Sequence, residues 1–113
     1  MALDYFEKAL PAWERRGGGA NVRTARWAIA RCLRSLGRFD EAMAIQHALL
    51  DELQKNGEVD GYVFEELGEL YLARGDAVAA RTWFGKAHAL LSQDAGLQAN
   101  EPARLQRLHR LGN

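Results

Sequence analysis

The feature that most constrains the fold of this 113-residue chain is a helix–glycine–helix pattern that occurs twice, 38 positions apart. Gly37 and Gly75 each follow a segment in which apolar residues recur every three or four positions, the spacing of one face of an α-helix. A second such segment begins two residues after each glycine, and so short a link requires the two helices to be antiparallel neighbours. Internal similarity at this period predicts a helical-repeat architecture.

The composition also favours helices. Alanine, leucine, arginine and glutamate dominate, whereas the β-branched residues that favour strands are scarce. The apolar periodicity predicts helices over residues 2–16, 21–36, 39–56, 60–74, 77–91 and 102–111. We expect a polar connector over residues 92–100 and a final helix that begins with Pro102. The sequence therefore predicts one all-α domain spanning residues 1–113.

The second helix pair carries a motif of aromatic, large apolar and small residues at fixed spacing. It reads Phe64-x2-Leu67-Gly68-x2-Tyr71-x8-Ala80-x3-Phe84-x2-Ala87. This motif resembles the signature of the tetratricopeptide repeat, with an aromatic residue in place of the first tryptophan. The resemblance implies antiparallel helix-turn-helix repeats stacked as a right-handed α-solenoid. Small residues such as Gly68 and Ala80 would let the two helices of a pair approach closely.

The other segments match the same signature less completely. The first full repeat has Arg26 where a large apolar residue is usual and Gln46 where an aromatic residue is usual. The period exceeds the usual length of about 34 residues, which is typical of the longer-repeat variants. The implied organisation is a half repeat, two full repeats and a capping helix, over residues 2–16, 21–56, 60–92 and 102–111. A chain that opens with a half repeat is expected to be part of a longer repeat array.

Few residues are candidates for catalysis or metal binding. The three histidines lie on different predicted helices, and none has a second metal ligand three or four positions away; they are His47, His88 and His109. Cys32 is expected to be a buried, unreactive thiol. We expect no metal and no cofactor.

Two further motifs are explained without an active site. Glu65, Glu66 and Glu69 lie on one predicted helix with no basic residue close in sequence, so a solvated face is expected. The three glycines at residues 17–19 follow a helix and lack the lysine of a phosphate-binding loop. The chain is therefore predicted not to be an enzyme.

The charge is balanced overall but unevenly distributed. Residues 14–38 carry seven arginines and one acid, a net charge of +6, whereas residues 39–76 carry ten acids and two bases, a net charge of −8. A formal net charge of zero disfavours nucleic-acid binding. No apolar run approaches the roughly 20 residues that cross a bilayer. The single cysteine fits a cytoplasmic protein.

The resemblance implies a concave groove, lined by the first helix of each pair, that binds peptides. The residues of this sequence at the groove-lining positions of the family are Thr24, Trp27, Arg31, Arg34, Tyr62, Glu65, Glu69 and Leu72, with Ser35 and Ala73 beside them. The spacing of Thr24, Trp27, Arg31 and Arg34 independently predicts one stripe on a helix, offset from its apolar face. Trp27 either contributes to the groove or packs against the segment 2–16.

These observations predict a protein–protein interaction module that binds a peptide or partner protein of mixed charge. A self-association module forming a homodimer, or a fragment of a larger scaffold, is the alternative. An RNA-binding helical repeat is a weaker alternative. Its base-reading positions would be those of Trp27 and Glu65, where such proteins carry small polar residues.

Overall fold

The computed structural model describes residues 19–113, and the side chains from residue 22 onwards. These residues form six α-helices and no strand, so the all-α prediction is confirmed for the described part of the chain. The helices are α1 (Gly19–Ser35), α2 (Phe39–Lys55), α3 (Gly61–Ala73), α4 (Ala77–Leu91), α5 (Ala95–Asn100) and α6 (Pro102–Leu111). The predicted half repeat over residues 2–16 lies outside the described residues.

The turns that end α1, α2 and α3 share one geometry. Gly37, Gly57 and Gly75 adopt positive φ angles of 79°, 69° and 85°, a conformation that favours glycine. At the first of these turns, the N–H of Arg38 donates to the Leu33 carbonyl at 2.9 Å and the N–H of Gly37 donates to the Arg34 carbonyl at 3.0 Å. The other two turns repeat both bonds, which together define the Schellman motif. The helix ends predicted at Gly37 and Gly75 are therefore confirmed, and Gly57 ends α2 in the same way.

The chain forms two compact units, residues 1–52 and residues 53–113. In the first unit, the predicted apolar stripe of α1 is buried at Ala25, Ile29 and Leu33. Arg26 on α1 donates from Nη1 to both carboxylate oxygens of Glu52 on α2, at 2.7 and 2.8 Å. This ion pair joins the first half of α1 to the end of α2, as an antiparallel pair requires.

In the second unit, α3 and α4 form an antiparallel pair. At two glycines of α3, side chains of α4 lie close to the α3 backbone. A Cβ atom built on Gly68 would lie 2.8 Å from ring atoms of Phe84, and one built on Gly61 would lie 2.7 Å from Leu91. The small residue predicted at position 68 is thus required by packing. The nearest atoms belong to the Phe84 ring rather than to Ala80, because three atoms of that ring lie within 2.9 Å of the place that a Cβ atom would occupy.

The prediction that residues 92–100 form only a polar connector is wrong, because the short helix α5 lies within them. The carboxylate of Asp94 caps this helix by accepting from the N–H of Leu97 at 3.0 Å, and Leu97 is buried. Six residues are too few to show helical periodicity, so only the cap signals this helix in the sequence. None of the helices between residues 19 and 113 is long and apolar enough to cross a membrane.

The last helix, α6, packs on the α3–α4 pair. Leu105 and Leu108 are its buried residues, and its end meets α4 where a Cβ on Gly112 would lie 2.7 Å from the Gly85 nitrogen. His88, three residues after Gly85, faces His109, three residues before Gly112. The two helices therefore run antiparallel. The stacking of the repeats into a right-handed solenoid stays a prediction.

Candidate functional site

The predicted site residues of the first unit lie along α1. Trp27 is half-buried, and the guanidinium carbon of Arg31 lies 5.6 Å from the centre of its ring. A spacing of four residues brings the two side chains together on one helix face. Such a cation–π contact contributes about 0.5–1 kcal/mol at an exposed site. Thr24 and Arg31 are exposed and Arg34 is half-buried, so the stripe presents hydroxyl, aromatic and cationic groups.

The predicted site residues of the second unit lie on α3, where α6 contacts them. The guanidinium of Arg104 binds the Glu65 carboxylate through two hydrogen bonds, one of them from Nε to Oε2 at 2.9 Å. Its carbon also lies 5.1 Å from the centre of the Tyr62 ring. One turn further along both helices, Nη1 of Arg107 donates to Oε1 of Glu69. Three of the four positions predicted on this helix therefore contact arginines of the same chain.

The solvated face predicted for the three glutamates of α3 is wrong. Glu65 and Glu66 are only 7% and 3% exposed, and Glu69 is half-buried. The prediction failed because the basic partners of Glu65 and Glu69 lie 39 and 38 residues further along the chain. A search for neighbouring charges on the same helix could not find them.

The Arg104–Glu65 pair is the stronger of the two contacts by geometry and burial. The exposed fractions of the two side chains are 28% and 10%, compared with 41% and 18% for Arg107 and Glu69. The hydrogen-bonded carboxylate of Glu65 holds the pKa of the Arg104 guanidinium above its ordinary value, against the opposing effect of burial. Two parallel bonds also fix the orientation of the guanidinium plane.

An aromatic cluster on α3 and α4 was not predicted from the sequence. The Trp83 ring stacks against Phe64 with centres 5.9 Å apart and against Tyr71 with centres 6.4 Å apart. The Nζ atom of Lys86 lies 4.9 Å from the centre of the Trp83 ring. Trp83 lies outside the repeat signature. Lys86, three positions later on the same helix face, is the local sequence feature that could have indicated its cation–π contact. Leu72, the remaining predicted site residue of α3, is 38% exposed.

The expectation that Cys32 is buried needs correction. Cys32 is half-buried rather than buried, because it lies one position away from the buried Leu33 and so points about 100° around the helix. His88 and His109 lie on different helices, as predicted, and the tertiary structure brings their ring centres to 5.1 Å from each other across α4 and α6. Within residues 19–113, no group of three or more histidine, cysteine, aspartate or glutamate side chains could hold a metal ion.

Comparisons with known proteins add no identification. No protein-family model, curated protein or solved structure matches the chain. The resemblance to tetratricopeptide repeats therefore depends on the motif residues alone.

Proposed function

We propose that this chain is a non-enzymatic protein-interaction module of the tetratricopeptide type, which binds a peptide or a partner protein. The observation that supports this proposal most is the contact between α3 and α6. The face of α3 predicted to bind a ligand contacts the short amphipathic helix α6, whose Arg104 and Arg107 bind Glu65 and Glu69 of α3. A surface able to hold one such segment has the chemistry needed to recognise segments of the same kind.

The attachment of α6 combines three features that protein-binding surfaces use. Leu105 and Leu108 of α6 are buried, and a fully buried leucine contributes about 1.5–3 kcal/mol. The Glu65 carboxylate supplies a bidentate, charge-assisted pair that fixes direction. Tyr62 supplies an aromatic face for the same guanidinium. In this structure α6 occupies the α3 surface.

The proposal places the external ligand on the α1 stripe of the first unit. Trp27 carries a large aromatic surface, and Arg31 and Arg34 carry guanidinium groups, the type of donor that binds carboxylates and backbone carbonyl groups. Tryptophan and arginine are the residue types most enriched among binding hot spots. The ligand expected here is therefore an acidic peptide segment with at least one apolar side chain.

The proposal can be tested by selecting ligands from a random peptide library displayed on phage, with the intact chain as bait. Selected peptides should be enriched in aspartate and glutamate. Binding of the selected peptides, measured by fluorescence anisotropy, should weaken by about 1–2 kcal/mol in Trp27→Ala and in the double variant Arg31→Ala/Arg34→Ala. The matched control is Arg81→Ala, which removes an exposed arginine on α4.

Two results would argue against the proposal. If the selected peptides bind Trp27→Ala and Arg31→Ala/Arg34→Ala as they bind the parent, the α1 stripe is not the binding surface. If Arg81→Ala lowers affinity as much as the α1 variants do, the binding reflects general attraction to positive charge. Raising the salt concentration distinguishes general attraction to positive charge from binding at the α1 stripe. Diffuse electrostatic attraction is screened more strongly than a hydrogen-bonded contact.

A further inference from the structure

We propose that His88 and His109 form a two-histidine binding site for a divalent transition-metal ion of the zinc, copper and nickel class. The ion would bridge α4 and α6 and thereby fasten the last helix to the pair beneath it. This proposal does not depend on the protein-binding function proposed above. It begins from the separation of the two imidazole rings, whose centres are 5.1 Å apart and whose planes are inclined at 49°.

The ring separation agrees with the geometry of a shared metal ion. An imidazole nitrogen binds Zn²⁺ at about 2.0–2.1 Å, which places each ring centre about 3.2 Å from the ion. Two rings at the tetrahedral angle then have centres about 5.2 Å apart, and two rings at a right angle have centres about 4.5 Å apart. The observed separation lies within this interval.

The ring nitrogens are not committed to another strong partner within the described part of the chain. The group next to His109 is the side-chain amide of Asn113, whose Nδ2 is 3.2 Å from both ring nitrogens and donates to the His109 carbonyl at 2.7 Å. One N–H can be directed at only one of the two ring nitrogens, so Asn113 leaves the other ring nitrogen of His109 unengaged. His88 is half-buried and His109 is exposed, which leaves a path for an ion and its waters.

The backbone around the two histidines keeps them at this separation. Gly85 and Gly112 each lie three residues from one of the histidines, and the Gly112 Cβ position is 2.7 Å from the Gly85 nitrogen. Leu108, adjacent to His109, is fully buried. Because the backbones of α4 and α6 are in contact three residues from each histidine and Leu108 is buried, little backbone freedom is lost when an ion joins the rings.

Ligand chemistry identifies the class of ion. Imidazole suits Zn²⁺, Cu²⁺ and Ni²⁺, whereas Mg²⁺ and Ca²⁺ prefer oxygen ligands. The Irving–Williams order predicts that Cu²⁺ binds more tightly than either Ni²⁺ or Zn²⁺. Two protein ligands leave the remaining coordination positions to water, so Zn²⁺ should bind more weakly here than at a four-ligand structural site.

The test is to titrate the intact chain with ZnCl₂ by isothermal calorimetry near neutral pH, in a buffer that does not bind metals. The parent should bind a single ion per chain, and EDTA should reverse the binding. His88→Gln and His109→Gln should each weaken binding at least tenfold. The control His47→Gln changes the remaining histidine and should bind as the parent does. MgCl₂ should give no binding isotherm.

A second measurement keeps the proposal testable if a variant loses stability. Saturating ZnCl₂ should raise the thermal unfolding midpoint of the parent and of His47→Gln, but not that of His88→Gln or His109→Gln, because only an ion bound to the folded state stabilises it. Far-UV circular dichroism checks that each variant is helical. Equal zinc binding by the parent and both site variants, or zinc binding lost in His47→Gln, would overturn the assignment.

Discussion

The close approach at Gly68 allows a prediction in which two chemically identical substitutions have opposite effects. Gly68→Ala should destabilise the protein, whereas Gly85→Ala should stabilise it. Both residues lie inside helices, so both substitutions gain the higher helix propensity of alanine, which is about 1 kcal/mol. They differ in what the added methyl group meets.

At Gly68 the methyl group would lie 2.8–2.9 Å from three ring atoms of Phe84. Carbon atoms in favourable contact are about 3.5–4.0 Å apart, so the ring must move by about 0.7 Å or more. Phe84 is 1% exposed, and the ring has no solvent to move into. Overpacking of this kind costs about 1–3 kcal/mol, against a gain in helix propensity of about 1 kcal/mol. Because the buried ring cannot move aside easily, the expected result is a net loss of up to about 2 kcal/mol, and Gly68→Leu should lose more.

At Gly85 the methyl group would lie 3.4 Å from the Gly112 carbonyl oxygen, which is an ordinary contact. The expected result is a gain of about 0.5–1 kcal/mol. Urea denaturation followed by far-UV circular dichroism measures both variants. The double variant Gly68→Ala/Phe84→Leu should be more stable than the sum of the two single changes predicts, because the smaller side chain leaves room for the methyl group. A Gly68→Ala midpoint that rises like that of Gly85→Ala would refute this reasoning.

Two further predictions concern polar groups. Glu65→Gln should destabilise the protein by about 1.5–3 kcal/mol in urea denaturation, because it removes the buried carboxylate that binds the Arg104 guanidinium and leaves only the exposed Glu101 carboxylate, 3.4 Å away. Glu41→Gln, on the exposed Arg38–Glu41 pair, should change stability by less than about 1 kcal/mol. Gln46→Met should stabilise the protein by about 1–3 kcal/mol, because the fully buried amide of Gln46 has no hydrogen-bond partner among residues 19–113 on either its oxygen or its nitrogen. A Gln46→Met variant less stable than the parent would mean that the amide is satisfied in solution, for example by a buried water.

The local features of this fold follow from the sequence by itself. Helix ends at Gly37, Gly57 and Gly75 were predictable because a Schellman turn needs one residue with positive φ, and glycine adopts it without strain. The side chains of Asp60 and Asp76 cap α3 and α4 by accepting backbone N–H groups at 2.8 and 3.1 Å. All of these interactions span at most five residues, so the necessary information lies within a short window of sequence.

The candidate site was decided largely by the tertiary structure. Periodicity identified the apolar face of α6, and the spacing of Arg104 and Arg107 was visible in the sequence. That these arginines meet Glu65 and Glu69 depends on the angle and register at which α6 packs on α3. The pairing of His88 with His109 depends in the same way on the packing of α6 against α4. Register is set by steric contacts such as that of Gly85 with Gly112, between residues far apart in the chain, and no local propensity specifies it.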